Sequence, residues 1–345
     1  MENTAQEWEK VRNEFKDWYY DNTAKFELAK NIYQSLITSL LMDRNDFSNP
    51  QIESRIKERK GCISKFERKY LKDCKDVSLE IVQNKITDLI GLRIICSYED
   101  EIEKIGKVIE EAFNVIERTD KTKKLEEEET FGYKGLHLDI KLSQEREKLE
   151  EYKKISQFQV EIQIRTIIQH AWSSLDHKMV YKHDSPSSLK RAVKRLAAVF
   201  EIADSEFMRL REETKLQEKI SEEKIKATEN IDNKNLETDK IDFITFNKFL
   251  SLKFNYSFYE YRTNQILQEI FRNDANFNLD ILSKAYENEY KKIDNYVKEN
   301  STIMSMNPYT MLRHILYSYD SEKYKSLLTP FQMQNFEKYK SDKHI

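Results

Sequence analysis

Residues 161–166 read EIQIRT, from Glu161 to Thr166. Polar and apolar residues alternate with a period of two, the spacing at which side chains of a strand share a face. Glu161, Gln163 and Arg165 therefore line one face, and Ile162 and Ile164 point to the other. An acid, an amide and a base over an apolar underside describe either the wall of an active site or the solvent side of a sheet edge. Working outward, the strand pattern extends back to Phe158, and Ile86–Tyr98 (ITDLIGLRIICSY) is β-branched and apolar like a buried strand. Asn114–Thr119 and Gly132–Leu142 add two more strands, while Glu99–Phe113 and Arg165–Tyr181 carry helical spacing.

Helices flank this strand-rich centre. Trp8, Val11, Phe15, Trp18, Ala29, Tyr33, Leu36 and Leu40 form one helical stripe, broken at Asn45–Pro50. Gln51–Leu71 reads as a second helix, dense in basic residues. Leu189, Val193, Leu196, Phe200, Ala203, Phe207 and Leu210 mark a long amphipathic helix. The fold class expected is α+β: a small strand-rich centre flanked by helices, with an added C-terminal helical region. The expected divisions are an N-terminal helical segment (1–50) packing on a central domain (51–212), a polar linker or helix extension (213–240), and a helical domain (241–345). Thr245 is the expected N-cap of the helix that carries FNKFL.

Composition narrows the function. The 345 residues suffice for about two domains. Lys and Arg number 58 against 61 Asp and Glu, a net charge of −3, which excludes a wholesale electrostatic nucleic-acid binder but not a local basic pocket. Only five glycines occur, none after Gly135, so the C-terminal portion reads as helix rather than tight hairpins. Cys62, Cys74 and Cys96 form no paired framework, which with the absence of a signal-like N-terminus points to a reducing, cytoplasmic setting. No apolar run approaches the length needed to span a membrane.

Four stretches can carry chemistry. Arg55, Lys57 and Lys65 could cradle a polyphosphate, or could belong to a merely solvated basic helix. In DLIGLRI, Asp88 could hold Mg²⁺, or could pair structurally with Arg93, and Gly91 permits a close approach to the backbone. Glu161 beside Asp88 would supply the second carboxylate of a Mg²⁺–triphosphate site. In FGYKGLH, Tyr133 between Gly132 and Gly135 offers a base-stacking ring, or packs at a strand entry, with His137 four residues on.

The order R-x-K…K, then D-x-x-G-x-R-I, G-Y-x-x-x-H, and E-x-Q-I-R-T followed by HAW…H…YK resembles the RelA/SpoT-type alarmone synthetase domain, over about Arg55–Lys182. The resemblance implies a nucleotidyltransferase-like fold, a mixed β-sheet flanked by helices. It also implies a Mg²⁺-dependent pyrophosphokinase that moves the β,γ-pyrophosphoryl group of ATP to the 3′-hydroxyl of GDP or GTP. Carried over by motif, Arg55 and Arg93 would sandwich adenine, Lys57 and Lys65 would hold the ATP phosphates, and Asp88 and Glu161 would hold Mg²⁺. Glu161 would also activate the attacking hydroxyl, Tyr133 would stack on the acceptor guanine, and His137, Gln163 and Arg165 would line the acceptor site. The chain departs from the pattern at Gly61 and Gly135, each in place of a usual Ser, and at the acidic EEEETF before Gly132. All six histidines lie at 137 or later, so the family's hydrolase domain is not expected and synthesis alone is.

Two other functions compete with this one. Toxic relatives of the family pyrophosphorylate the 3′-CCA end of tRNA, and a degenerate synthetase could serve as a nucleotide-binding module. The segment 241–345 could oligomerise the chain, regulate it or act as a built-in neutralising domain. Its aromatic cluster (Phe243, Phe246, Phe249, Phe254, Tyr256, Phe258, Tyr259, Tyr261) reads as core.

Overall fold

The computed structural model describes residues 2–42, 44, 46–74, 76–121, 135–179, 187–228, 239–254, 256, 258–300 and 306–343. Tyr133, the acidic stretch before Gly132 and the YK motif at Tyr181-Lys182 lie outside them. The chain forms two compact units, Met1–Arg209 and Leu210–Ile345.

The first unit is built on a five-stranded sheet. Its strands are β1 (Gln51–Ile56), β2 (Ile90–Cys96), β3 (Asn114–Asp120), β4 (Leu136–Lys141) and β5 (Val160–Thr166), in the order β1-β2-β5-β4-β3. Strands β2 and β5 are parallel and every other neighbouring pair is antiparallel. The mixed sheet is the one the family resemblance implies, and the strand read in EIQIRT is β5. The helices are α1 (Glu2–Asp21), α2 (Thr23–Leu41), α3 (Arg59–Lys69), α4 (Leu79–Lys85), α5 (Glu99–Ala112), the short α6 (Gln144–Glu147) and α7 (Ile167–Met179).

One face of the sheet is core. Ile90, Leu92, Ile94, Leu138, Ile162 and Ile164 bury against Phe26, Tyr33 and Ile37 of α2 and Ile102, Ile105 and Ile109 of α5. Each large aliphatic side chain fully buried in this way contributes about 1.5–3 kcal/mol. Helix α1 joins the same core through Trp8, which stacks on Phe66 of α3 with centroids 5.1 Å apart. The expected single N-terminal stripe is two helices. Asn22 departs from helical geometry at their junction, and its side-chain amide donates to the Trp18 carbonyl at 2.8 Å.

The basic stretch expected as one helix over Gln51–Leu71 is two elements. QIESRI is an edge strand laddered to β2 with Arg55 opposite Gly91, and helix begins only at Arg59. The period of two in Gln51, Glu53 and Arg55 outweighs the basic composition. The strand expected from Gly132 begins at Leu136. Gly135 sits at φ +129°, and a Cβ there would lie 2.9 Å from the Ile164 carbonyl oxygen. Glycine in place of the usual Ser therefore has a backbone cause.

Helix α8 (Ser187–Thr228) runs 42 residues, and the boundary between the units falls within it. The second unit is helical: α9 (Phe243–Phe254), α10 (Glu260–Asn273), α11 (Leu279–Glu299), α12 (Pro308–Tyr319) and α13 (Pro330–Lys343). Its core includes Phe246, Phe249, Leu267, Leu282, Leu312 and Phe336. The aromatic cluster is divided. Phe246 and Phe249 are fully buried, whereas Tyr256, Tyr259 and Tyr261 are exposed. Asp242, rather than Thr245, caps α9, because its carboxylate accepts from the Thr245 backbone N–H at 2.8 Å. Among the described residues no helix is long and apolar enough to cross a membrane.

Candidate active site

The polar face of the sheet carries the site. Strand register aligns its side chains in two adjacent rungs that cross all five strands. The first rung holds Arg55, Gly91, Glu161, Asp139 and Glu117; the second holds Glu53, Arg93, Gln163, His137 and Thr119. Because the side-chain period is two, the apolar residues between these positions fall on the opposite, buried face. Asp88 stands in the turn just before β2 rather than on a strand, and the Lys57 backbone N–H donates to the Leu89 carbonyl beside it at 2.8 Å.

Asp88 is 8% exposed and is gripped by two cations. Lys57 donates to one carboxylate oxygen, and Lys65, one face of α3 away, donates to the other at 2.9 Å. Burial pushes the Asp88 carboxyl up, but the two lysines outweigh it and hold the group below its ordinary value, so it is ionised. The Asp88–Arg93 pair weighed from sequence does not form. Arg93 instead donates to Glu53, its rung neighbour, at 3.1 Å.

Glu161 lies within a hydrogen-bonded chain along β5. Its Oε1 is 3.2 Å from His137 Nδ1, and its Oε2 accepts from Gln163 Nε2 at 2.7 Å. The Gln163 carbonyl oxygen accepts in turn from Arg165. Burial raises the Glu161 carboxyl, yet His137 and Gln163 together hold it below its ordinary value. Arg165 shares the face expected for it, but it is 1% exposed, donates to Gln163 and is not among the described residues that line the cleft.

Arg55, Lys57, Lys65, Asp88, His137, Glu161 and Gln163 all line one cleft of about 530 Å³. The same cleft adds Arg68, Lys69 and Lys121, which sequence reasoning left unassigned. Among the described residues, six cationic side chains thus line the cleft with two ionised carboxylates. Their crowding is visible at Lys69, whose ammonium is pushed below its ordinary value by burial and then by Lys65, Arg68 and Lys121. Such a surface attracts a polyanion.

A second slot of about 60 Å³ opens beside it, over Gly91, between Arg55 and Arg93 and bounded by Glu53 and Gln163. Asp139 was also missed. It faces Glu161 across β4 and β5, and burial together with the Glu161 charge pushes its carboxyl from 3.8 to about 6. The period-two pattern of LHLDIK, which places His137 and Asp139 together, could have signalled it. Tyr133, expected on the acceptor side, lies outside the described residues.

Comparison with known proteins places the chain in a family. A family described as the region found in RelA/SpoT proteins matches residues 54–186. GTP pyrophosphokinase YwaC of Bacillus subtilis (strain 168) is 31% identical over 165 residues, 47% of this chain and 73% of that protein. The chain belongs to the RelA/SpoT family. Another RelA/SpoT relative, GTP pyrophosphokinase YjbM of the same strain, is 24% identical over 182 residues, covering 52% of this chain and 79% of that protein. The solved structure of small alarmone synthetase 2 from Bacillus subtilis has 27% identity and a TM-score of 0.44, covering 57% of this chain and 99% of that one. Small alarmone synthetase 1 from the same organism, bound to its product pppGpp, has 22% identity and a TM-score of 0.47 over 58% and 99%.

Proposed function

We propose that this RelA/SpoT chain is an ATP:nucleotide 3′-pyrophosphotransferase, moving the β,γ-pyrophosphoryl group of ATP to the 3′-hydroxyl of GDP or GTP. One observation carries the reading: two carboxylates held ionised, Asp88 and Glu161, face a single cleft with six cations. Transfer of this kind depends on positioning and charge neutralisation more than on covalent participation by the protein.

Adenine would lie over Gly91 between the guanidinium groups of Arg55 and Arg93, which favour flat π-faces. The triphosphate would extend toward Lys57 and Lys65, which exchange the Asp88 carboxylate for phosphate oxygens. Glu161 would take the proton of the acceptor 3′-hydroxyl. Gln163 and His137 fix its orientation, and Arg165 fixes Gln163. Arg68, Lys69 and Lys121 extend the basic wall past Glu161 and His137, where the 5′-phosphates of the acceptor would lie. Tyr133 is assigned to the acceptor base by its motif.

The donor set suits Mg²⁺, which takes one or two carboxylates together with substrate phosphates. Asp88 and Glu161 would hold it, and each carboxylate oxygen keeps lone-pair capacity beyond its present hydrogen bond. When bound, the ion would offset phosphate charge.

The test incubates the purified chain with γ-³²P-ATP and Mg²⁺ in parallel with GDP, GTP or deacylated tRNA. Label in the guanine nucleotides is the expected result. Label in tRNA alone would move the acceptor to the tRNA 3′ end and refute the nucleotide assignment. No label in any arm would refute the transferase reading.

A further inference from the structure

The slot over Gly91 contains one group that the proposed chemistry leaves unused. Glu53 is an acid at the wall of a pocket otherwise suited to a highly anionic nucleotide. An acid there repels a triphosphate unless it meets a hydrogen-bond donor of the ligand.

Glu53 is well placed to meet one. It is directly opposite Arg93 in the β1–β2 ladder, one rung from the Arg55–Gly91 pair. Its Oε2 accepts from Arg93 Nη1 at 3.1 Å, which holds the carboxylate at the wall of the slot. Its Oε1 has a single long contact, 3.5 Å from the Gln51 amide, and so keeps its accepting capacity. A ring stacked between Arg55 and Arg93 offers those residues its faces and offers Glu53 its edge. A carboxylate accepts only. Facing the 6-position, it accepts from the 6-amino group of adenine, whereas the 6-oxo group of guanine or hypoxanthine offers it no donor there.

We infer that Glu53 is a specificity-determining residue that selects adenine in the donor slot. The inference rests on the proposed reading of that slot as the ATP site. It also gives a physical reason why two purine nucleotides would not exchange places in one active site: at the 6-position the donor subsite matches an amino group and not an oxo group.

The experiment measures binding by calorimetry, independently of turnover. The wild-type chain and Glu53→Ala and Glu53→Gln variants are titrated with ATP, with purine riboside triphosphate, which lacks the 6-amino group, and with inosine triphosphate, all with Mg²⁺ and no acceptor. The wild type should bind ATP about 10- to 100-fold more tightly than the 6-unsubstituted analogue, the range of a hydrogen bond to a charged group. Glu53→Ala should bind those two equally, and Glu53→Gln should recover inosine triphosphate binding because an amide can also donate. Loss of support for Arg93 alone would weaken all three ligands alike and leave their ratios unchanged. Unchanged ratios in both variants, or no preference in the wild type, would overturn the inference. Selective binding without transfer to GDP or GTP would support Glu53 while refuting the transferase reading. Failure of the wild type to bind any of the three would overturn both.

Discussion

Replacing Gly91 by Ala should move stability and ligand affinity in opposite directions. A Cβ at this position meets only the Arg55 side chain, Cγ and Nε, at 3.8 Å, ordinary van der Waals contact. The backbone lies in an ordinary strand, so the substitution restricts the unfolded chain without native strain and should stabilise the fold by about 0.4–1 kcal/mol. At roughly 2–4 °C per kcal/mol for a unit of this size, Tm should rise by about 1–4 °C. The added methyl, however, occupies the floor of the slot of about 60 Å³. Overpacking a fitted site costs about 1–3 kcal/mol, or roughly 5- to 150-fold in Kd for a non-hydrolysable ATP analogue. Differential scanning fluorimetry and calorimetry on the same preparation read both quantities. An unchanged Kd beside an unchanged or raised Tm would show that no ring lies over Gly91, and the donor assignment of Arg55 and Arg93 would fail with it.

Asp88→Asn and Glu161→Gln should each lower pyrophosphoryl transfer by at least about 100-fold, the scale of removing a charge-stabilising or metal-binding group. Both should still bind the ATP analogue; near-normal transfer in either variant would refute its catalytic placement. Asp139→Asn should stabilise the fold in a pH-dependent way. The folded-state pKa of Asp139 is raised from 3.8 to about 6, so its contribution is complete below about pH 4 and is lost as pH rises through 6. Urea denaturation should show the variant more stable than wild type by roughly 1 kcal/mol at pH 8, allowing for solvent screening, and equal near pH 4. The same difference at both pH values would contradict the raised pKa of Asp139. Gly135→Ser, which restores the usual family residue, should destabilise by about 1–3 kcal/mol, because it combines a positive φ with a Cβ 2.9 Å from the Ile164 carbonyl oxygen. An unchanged Tm would exclude that strain.

Much of the site was legible because strand alternation is a local signal. In EIQIRT the polar positions fall on one face whatever surrounds them, and both Glu161 and Gln163 reach the cleft. Arg165 obeys the same alternation yet is buried, since depth under neighbouring elements is a tertiary property that spacing does not record. QIESRI was masked by its setting: four basic residues at 55, 57, 59 and 60 invited a helical reading across a strand and the start of the next helix. Misreading that edge hid Glu53. The pairing of Asp88 was hidden for a different reason. Its partners are Lys57, just after β1, and Lys65, on α3, and Arg93 is claimed by Glu53 across the ladder. Partner choice of that kind follows from topology, not from nearness along the chain.

The two rungs have an evolutionary corollary. Five strands deliver the chemical groups in register, so losing a single residue within β2, β4 or β5 would turn that strand's polar side chains inward and its isoleucines or leucines outward. Substitutions at one position can be explored gradually, but length changes inside these strands cannot. Drift in chain length should accordingly gather in the connections and termini, and lineages of this enzyme should diversify by what is appended around the sheet while the spacing inside it stays frozen.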